Sequence, residues 1–192
     1  KPETAEMVEQ LASDYAWFHW HLEYPDVFTS SDWISDTTPT GWDGGFDCVL
    51  GNPPWERIKL QEKEFFAERD PRVANARNAA ERKRMIVAMQ DENAALLSAF
   101  LRAKRRSEGS SHHLRNSGRF PLAGRGDVNT FAVFAELMYQ VIHERGRVGC
   151  IVPSAIATDD TTRVLLGRLV ERRNLVRFFD FSNKKGIFPA VQ

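Results

Sequence analysis

An asparagine, two prolines and a tryptophan, Asn52-Pro53-Pro54-Trp55, close the apolar run "FDCVLG" at Phe46 to Gly51. The Asn52 side chain carries an acceptor oxygen and two amide donors, and the Pro53 carbonyl is an acceptor that a stiff Pro-Pro pair holds at a fixed angle. An asparagine before proline is itself biased away from helical backbone. Together they set two acceptors rigidly beside an indole face, an arrangement suited to a planar ring bearing an NH2 group. An exocyclic amine on a purine is a poor nucleophile because its lone pair is drawn into the ring. Accepting both amino hydrogens favours a more pyramidal nitrogen of higher electron density, so preorganised acceptors lower the barrier to attack on a methyl group. The proton can leave afterwards, and no strong base is required. The plain alternative is a strand stop followed by an exposed tryptophan.

Such a site needs an element that ends where a ligand can reach it, and in open parallel sheets ligands bind beyond the carboxyl ends of the strands. "FDCVLG" is short, apolar and bounded by glycines, as expected of a strand covered on both faces. Downstream, "DVNTFAVFAELMYQVIHERG" reads as an amphipathic helix with Asp127 or Asn129 as cap and Gly146 as stop. "RVGCIVP" reads as a buried strand, "TTRVLLGRLVERR" as a helix with Asp159 and Asp160 as acids at its start, and "LVRFFDFS" as a further strand. That order implies a parallel α/β sheet. Upstream, Ala5, Val8, Leu11 and Ala12 share one helical face, an aromatic cluster from Tyr15 to Tyr24 includes a strand around Phe18 to Leu22, and a polar linker runs from Thr29 to Gly45. Between the halves, Glu56 to Arg106 is rich in helix formers, with Pro71 opening a fresh helix and Met85, Met89, Leu96, Leu97, Phe100 and Leu101 as the apolar face. Ser107 to Gly126, rich in Gly, Ser and Arg, reads as a flexible loop that includes His112 and His113. The expected organisation is 1–55, leading up to Asn-Pro-Pro-Trp; 56–126, a basic helical insertion with its loop; and 127–192, a β/α half.

The 192 residues carry no net charge, but residues 1–55 hold 1 Lys or Arg against 10 Asp or Glu, 56–125 hold 16 against 9, and 126–192 hold 9 against 7. From Arg102 to Arg125 seven basic residues face only Glu108. That asymmetry suits a polyanion on one face, or a solvated helix end and loop. Cys48 and Cys150 each sit in an apolar strand-like run, which predicts reduced, buried thiols, and the histidines lack the spacing of metal ligands. No stretch approaches the roughly 18 apolar residues of a membrane span and no secretory signal opens the chain, so a cytoplasmic protein is expected. The start at Lys1 and the stop after "GIFPAVQ" suggest a piece of a longer protein.

The run "GGFDCVLGNPPW" resembles the fourth motif of amino-directed DNA methyltransferases that use S-adenosylmethionine, specifically their adenine N6 branch. "DVNTFAVFAELMYQVIHERGRVGCIVPSAI" is similar to the helix and strand that follow the site in that family. "LVRFFDFSNKKGIFPAV" is similar to the segment that carries a second base-stacking aromatic, which makes Phe188 the matching residue. "FHWHLEYPDVF" resembles a segment of large single-chain restriction-modification and phage-resistance methylases, and Glu23 lies where the family's third motif carries an acid for the donor's adenine. The resemblance implies the C-terminal part of a Rossmann-like class I methyltransferase fold, with Asn52, Pro53, Pro54 and Trp55 catalytic. It also implies DNA as partner, S-adenosylmethionine as cofactor, and a target-recognition domain, with or without a nuclease domain, elsewhere in the full protein. The family's donor-binding Gly-x-Gly after a first strand is absent. On the resemblance it belongs to sequence ahead of Lys1, and these residues alone would be inactive. Similar sites serve glutamine side chains of proteins and bases of ribosomal RNA, and a catalytically incomplete DNA-binding module is the remaining reading.

Overall fold

The computed structural model describes residues 2–30 and 42–183. The chain forms two compact units, one of residues 1–50 with 138–149 and one of residues 51–137 with 150–192.

The first unit opens with helix α1 (Pro2–Tyr15), which the apolar spacing predicts, although Val8 and Leu11 on its apolar face are exposed. The expected strand around Phe18 to Leu22 is instead a single helical turn, α2 (Trp20–Glu23). The alternation of aromatic and histidine residues that suggests a strand here serves ring packing. Trp20, Tyr24, Phe28, Trp42 and Phe46 meet mostly edge to face, with centroids 5.1 Å apart for Phe28 and Phe46 and 5.8 Å for Trp20 and Phe46. Phe28, at the centre, is fully buried. Strands β1 (Phe28–Ser30) and β2 (Trp42–Gly44) pair antiparallel with Phe28 opposite Gly44.

Strand β3 (Phe46–Gly51) pairs with β4 (Ile142–Cys150). A side-chain carbon added at Gly146 would lie 2.7 Å from the Phe46 carbonyl oxygen, and one at Gly149 would lie 2.8 Å from the Leu50 side chain. The contacts rise together along both strands, so the pair is parallel, as its long helical crossover requires. Helix α7 (Thr130–Val141) provides that crossover and ends earlier than the sequence suggests. Ile142 to Gly146 are drawn into β4, so Gly146 is no helix cap. It is a glycine because the β3 backbone approaches it closely. The expectation of a strand covered on both faces fails: Leu50 is 78% exposed, and both Cys48 and Cys150 are exposed. Within β3 only Phe46, packed on the aromatic cluster, Val49 and Gly51 are half-buried.

The second unit begins with four helices, α3 (Glu62–Ala67), α4 (Pro71–Ala74), α5 (Ala79–Glu92) and α6 (Ala94–Asn116). Pro71 occupies the first position of α4, and the Asp70 carboxylate accepts from the Arg72 N–H at 3.1 Å. At α5 the Asn78 side chain accepts from Glu81 N–H at 2.9 Å, while Glu81 reaches back to Arg77 N–H at 2.8 Å, a reciprocal cap. Asn93 ends α5 and caps α6 by accepting from Leu96 N–H at 3.0 Å. Each such cap stabilises by about 1 kcal/mol. The apolar face read along one helical period therefore belongs to two helices. Met89 and Phe100 are buried with Phe66, Val73 and Ile86, and Leu101 points out at 52% exposure.

The region read as a flexible loop from Ser107 is helical to Asn116. Its Ser and Gly content lowers propensity by only tenths of a kcal/mol per serine and about 1 for glycine, which packing of Leu96, Phe100 and Leu114 outweighs. A second core joins Phe131, Ala132 and Val133 of α7 to Ala123, Val128, Ile156 of α8 (Ala155–Thr158) and Leu165 of α9 (Arg163–Glu171). Between α8 and α9 a 3-10 turn, Asp160–Thr162, is capped by Asp159. The strand expected at "LVRFFDFS" does not form: Leu175 to Ser182 has no ladder partner among the described residues, and Phe181 is 87% exposed.

Candidate active site

Asn52 to Trp55 leave the end of β3 within the second unit. Pro53 is buried, whereas Asn52, Pro54 and Trp55 are exposed. The buried ring of Pro53, with its backbone angle locked, fixes which way the carbonyls around it face.

Four hydrogen bonds from distant sequence hold this turn. The Thr130 hydroxyl, on the first residue of α7, donates to the Pro54 carbonyl at 2.7 Å and accepts from the Glu56 N–H at 2.9 Å. The Thr130 N–H donates to the Glu56 carbonyl at 2.9 Å, and the Trp55 indole N–H reaches the Ile151 carbonyl at 3.4 Å. Next to these, Arg57 bridges Asn129 in antiparallel fashion and Ile58 N–H donates to the Val128 carbonyl at 3.3 Å. The Ser107 hydroxyl on α6 donates to the Ile58 carbonyl and accepts from Leu60 N–H at 2.8 Å. The segment 54–60 is thus laced to α7 on one side and α6 on the other.

This lacing sorts the carbonyls. Pro54 and Glu56 oxygens are occupied by Thr130, while among the described residues neither the Asn52 carboxamide nor the Pro53 carbonyl has a hydrogen-bond partner. Two acceptors without a partner among the described residues and the exposed Trp55 side chain therefore sit together at the strand end, and their backbone is fixed from behind.

Charge is arranged beside the turn. Arg57 lies 3.6 Å from the Asp127 carboxylate, an exposed pair of little energetic consequence. The Thr161 N–H and hydroxyl, each 2.8 Å away, hold the Asp159 carboxyl below the usual carboxylate range, with the Arg57 guanidinium adding to the effect. Asp127, one of the two expected caps, lies three residues ahead of the start of α7 and faces Arg57.

Behind α7, the buried Glu136 carboxylate accepts from Leu122 N–H at 3.1 Å and Ala123 N–H at 2.7 Å. Burial pushes the Arg119 guanidinium below its usual range, opposed by the Glu136 carboxylate. The loop so held contains Gly124-Arg125-Gly126, the one Gly-x-Gly in the sequence. A side chain at Gly124 would collide with the Leu114 and Phe120 carbonyls, and its N–H is already bonded to the Phe120 carbonyl at 2.8 Å. A turn that wraps a methyl donor presents free amides and room for close backbone approach, and Gly124 offers neither.

Glu23 is exposed at the end of α2 in the first unit, its N–H bonded to the His19 carbonyl at 3.1 Å. Phe188 lies outside the described residues. Among the described residues no cluster of His, Cys, Asp and Glu could hold a metal ion, and no helix is long and apolar enough to cross a membrane. Sequence reasoning misses Thr130 and Ser107. By local pattern Thr130 is an ordinary hydroxyl in a helix and Ser107 the first residue of a loop, and the partner of each is more than 45 residues away.

The architecture defines an α/β protein with a parallel strand pair and a rigid Asn-Pro-Pro-Trp turn at its carboxyl end. Residues 3–95, which include that turn, match the model of the family described as Eco57I restriction-modification methylase, and the match supports a restriction-modification methylase. No curated protein and no solved structure matches the chain.

Proposed function

We propose that this chain supplies the target-base half of an S-adenosylmethionine-dependent DNA methyltransferase that acts on N6 of adenine. In this reading the parallel β3/β4 pair is the C-terminal part of a Rossmann-like class I sheet. The observation that carries the reading is the division of labour among the carbonyls, with Pro54 clamped by Thr130 and the Asn52 and Pro53 acceptors left open beside Trp55.

Adenine in a duplex is stacked and paired, so the base is flipped out before its amino group can reach these acceptors. Asn52 Oδ1 and the Pro53 carbonyl each accept one amino hydrogen, which draws the nitrogen out of conjugation, and Trp55 stacks on the ring. Phe188 stacks on the base from its second face, and Glu23 contacts the donor's adenosine. The methyl group comes from S-adenosylmethionine, for which Gly124 to Gly126 is not the binding turn. Target recognition and any nuclease activity reside in other domains of the full protein.

Asn52→Ala tests the reading in the full-length protein. The side chain is exposed and makes no bond to another described residue, so melting is unchanged. Methyl transfer to adenine in duplex DNA falls by at least about a hundredfold, the effect of removing one preorganised electrostatic group. Retained transfer overturns the mechanism, and labelling of protein glutamine or ribosomal RNA in place of DNA overturns the substrate.

A further inference from the structure

Helix α6 carries more than its inward face. At about 100° per residue, Leu96, Phe100, Ser107 and Leu114 point into the unit, where they pack or are pinned. The opposite side carries Arg102, Arg105, Arg106, Gly109, His112 and His113, all exposed. The helix has one acidic residue, Glu108, which borders this stripe and pairs with Lys104 at 4.0 Å. A merely solvated helix face balances its signs at i,i+3 and i,i+4 spacing, whereas this side carries three arginines and two histidines against that one carboxylate.

The cations are arginines within about one turn, and guanidinium groups bind phosphate oxygens in a forked geometry that lysine lacks. Gly109, midway along the stripe, has nothing within 4 Å of the position a side chain would take, so the surface there is open. From residue 102 to 113 the stripe runs about 16 Å at 1.5 Å per residue, enough for two to three phosphates. Ser107 ties the inner side of the helix to Ile58 and Leu60, a few residues past Trp55. The stripe is therefore mounted rigidly on the same backbone that forms the candidate site.

Resting on the methylase reading above, we infer that the Arg102–Arg105–Arg106 stripe of α6 grips the phosphate backbone of the DNA duplex whose base enters the Asn-Pro-Pro-Trp turn. It is a positioning surface without sequence preference.

The test uses the full-length protein and a short duplex without a methylation site, with binding followed across salt concentration. The triple variant Arg102→Ala, Arg105→Ala, Arg106→Ala should weaken binding about tenfold or more, equally for unrelated sequences. It should also reduce the slope of log K against log salt by about 2 to 3, roughly 0.9 for each phosphate that is no longer neutralised. A charge-matched control, Lys83→Ala, Arg84→Ala, Arg168→Ala, should change the slope by less than about one. An unchanged affinity and slope in the α6 variant, or an equal drop in the control, overturns the stripe. Weakening confined to a structured RNA competitor overturns the choice of DNA. The stripe is read in binding to a duplex without a methylation site and the methylation mechanism in methyl transfer by Asn52→Ala, so failure of the one and failure of the other are read separately. A wild-type protein with no salt-dependent duplex binding overturns both.

Discussion

Two runs of the second unit, Asn52 to Leu60 and Leu175 to Ser182, have similar sequence credentials: aromatic residues, short apolar stretches and a place next to an α/β element. Their structures diverge. The first is bonded from Thr130, Val128, Ile151 and Ser107, residues 47 to 96 positions away. In the second, Val176 is 69%, Phe179 68% and Phe181 87% exposed, and the two rings, 6.4 Å apart, find mainly each other. Aromatic content does not order a segment. Polar groups elsewhere in the chain that match its backbone donors and acceptors do, because backbone amides left without partners oppose burial.

The strongest test of that contrast is Thr130→Val, which keeps shape and removes the hydroxyl. The Pro54 carbonyl and the Glu56 N–H lose their partner, at a cost of about 1 to 3 kcal/mol if water does not replace it. In the full-length protein the freed turn also lowers kcat for methyl transfer by about tenfold or more with little change in KM for DNA, and Thr130→Ser restores most of both. If valine leaves denaturation and kcat as in the wild type, the turn is held by the prolines alone and the contrast between the two runs dissolves.

Ser107→Ala is the next step down. It frees the Ile58 carbonyl and the Leu60 N–H, but alanine gains helix propensity, so the net loss is about 1 kcal/mol in urea denaturation. Ser98→Ala, exposed on the same helix, stays within about 0.5 kcal/mol. Equal effects at the two serines would mean that α6 and the 58–60 segment are not coupled through Ser107.

The same contrast explains which features are legible in the sequence. The turn at Asn52, the new helix at Pro71, the helix-start acids at Asp159 and Asp160 and the parallel order of β3 and β4 follow from local chemistry: proline geometry, short polar caps and the rule that a helix links parallel strands. At Phe18, Ser107, Gly146 and Leu175 local pattern misleads, because each outcome depends on what lies across from the segment. Ile142 to Gly146 have helix-compatible sequence yet pair with β3, and "LVRFFDFS" has strand-compatible sequence yet pairs with nothing described. Within the candidate site, residue types mark Asn52 to Trp55, but Thr130, whose hydroxyl decides which carbonyls remain open, carries no local mark.

The smallest expected effect is the most discriminating for the second run. Phe179→Ser with Phe181→Ser, measured on the 192-residue chain by chemical denaturation, should change stability by no more than about 0.5 kcal/mol, because exposed side chains return little apolar area to water on unfolding. Each phenylalanine would otherwise contribute about 1.5 to 3 kcal/mol if fully buried. A loss above about 2 kcal/mol, with a steeper urea dependence in the wild type than in the variant, would show that the run is packed in solution and pairs as a strand after all. The difference between the two runs would then be one of partner identity, and the hydrogen bonds from Thr130 and Ser107 would no longer be what sets Asn52 to Leu60 apart.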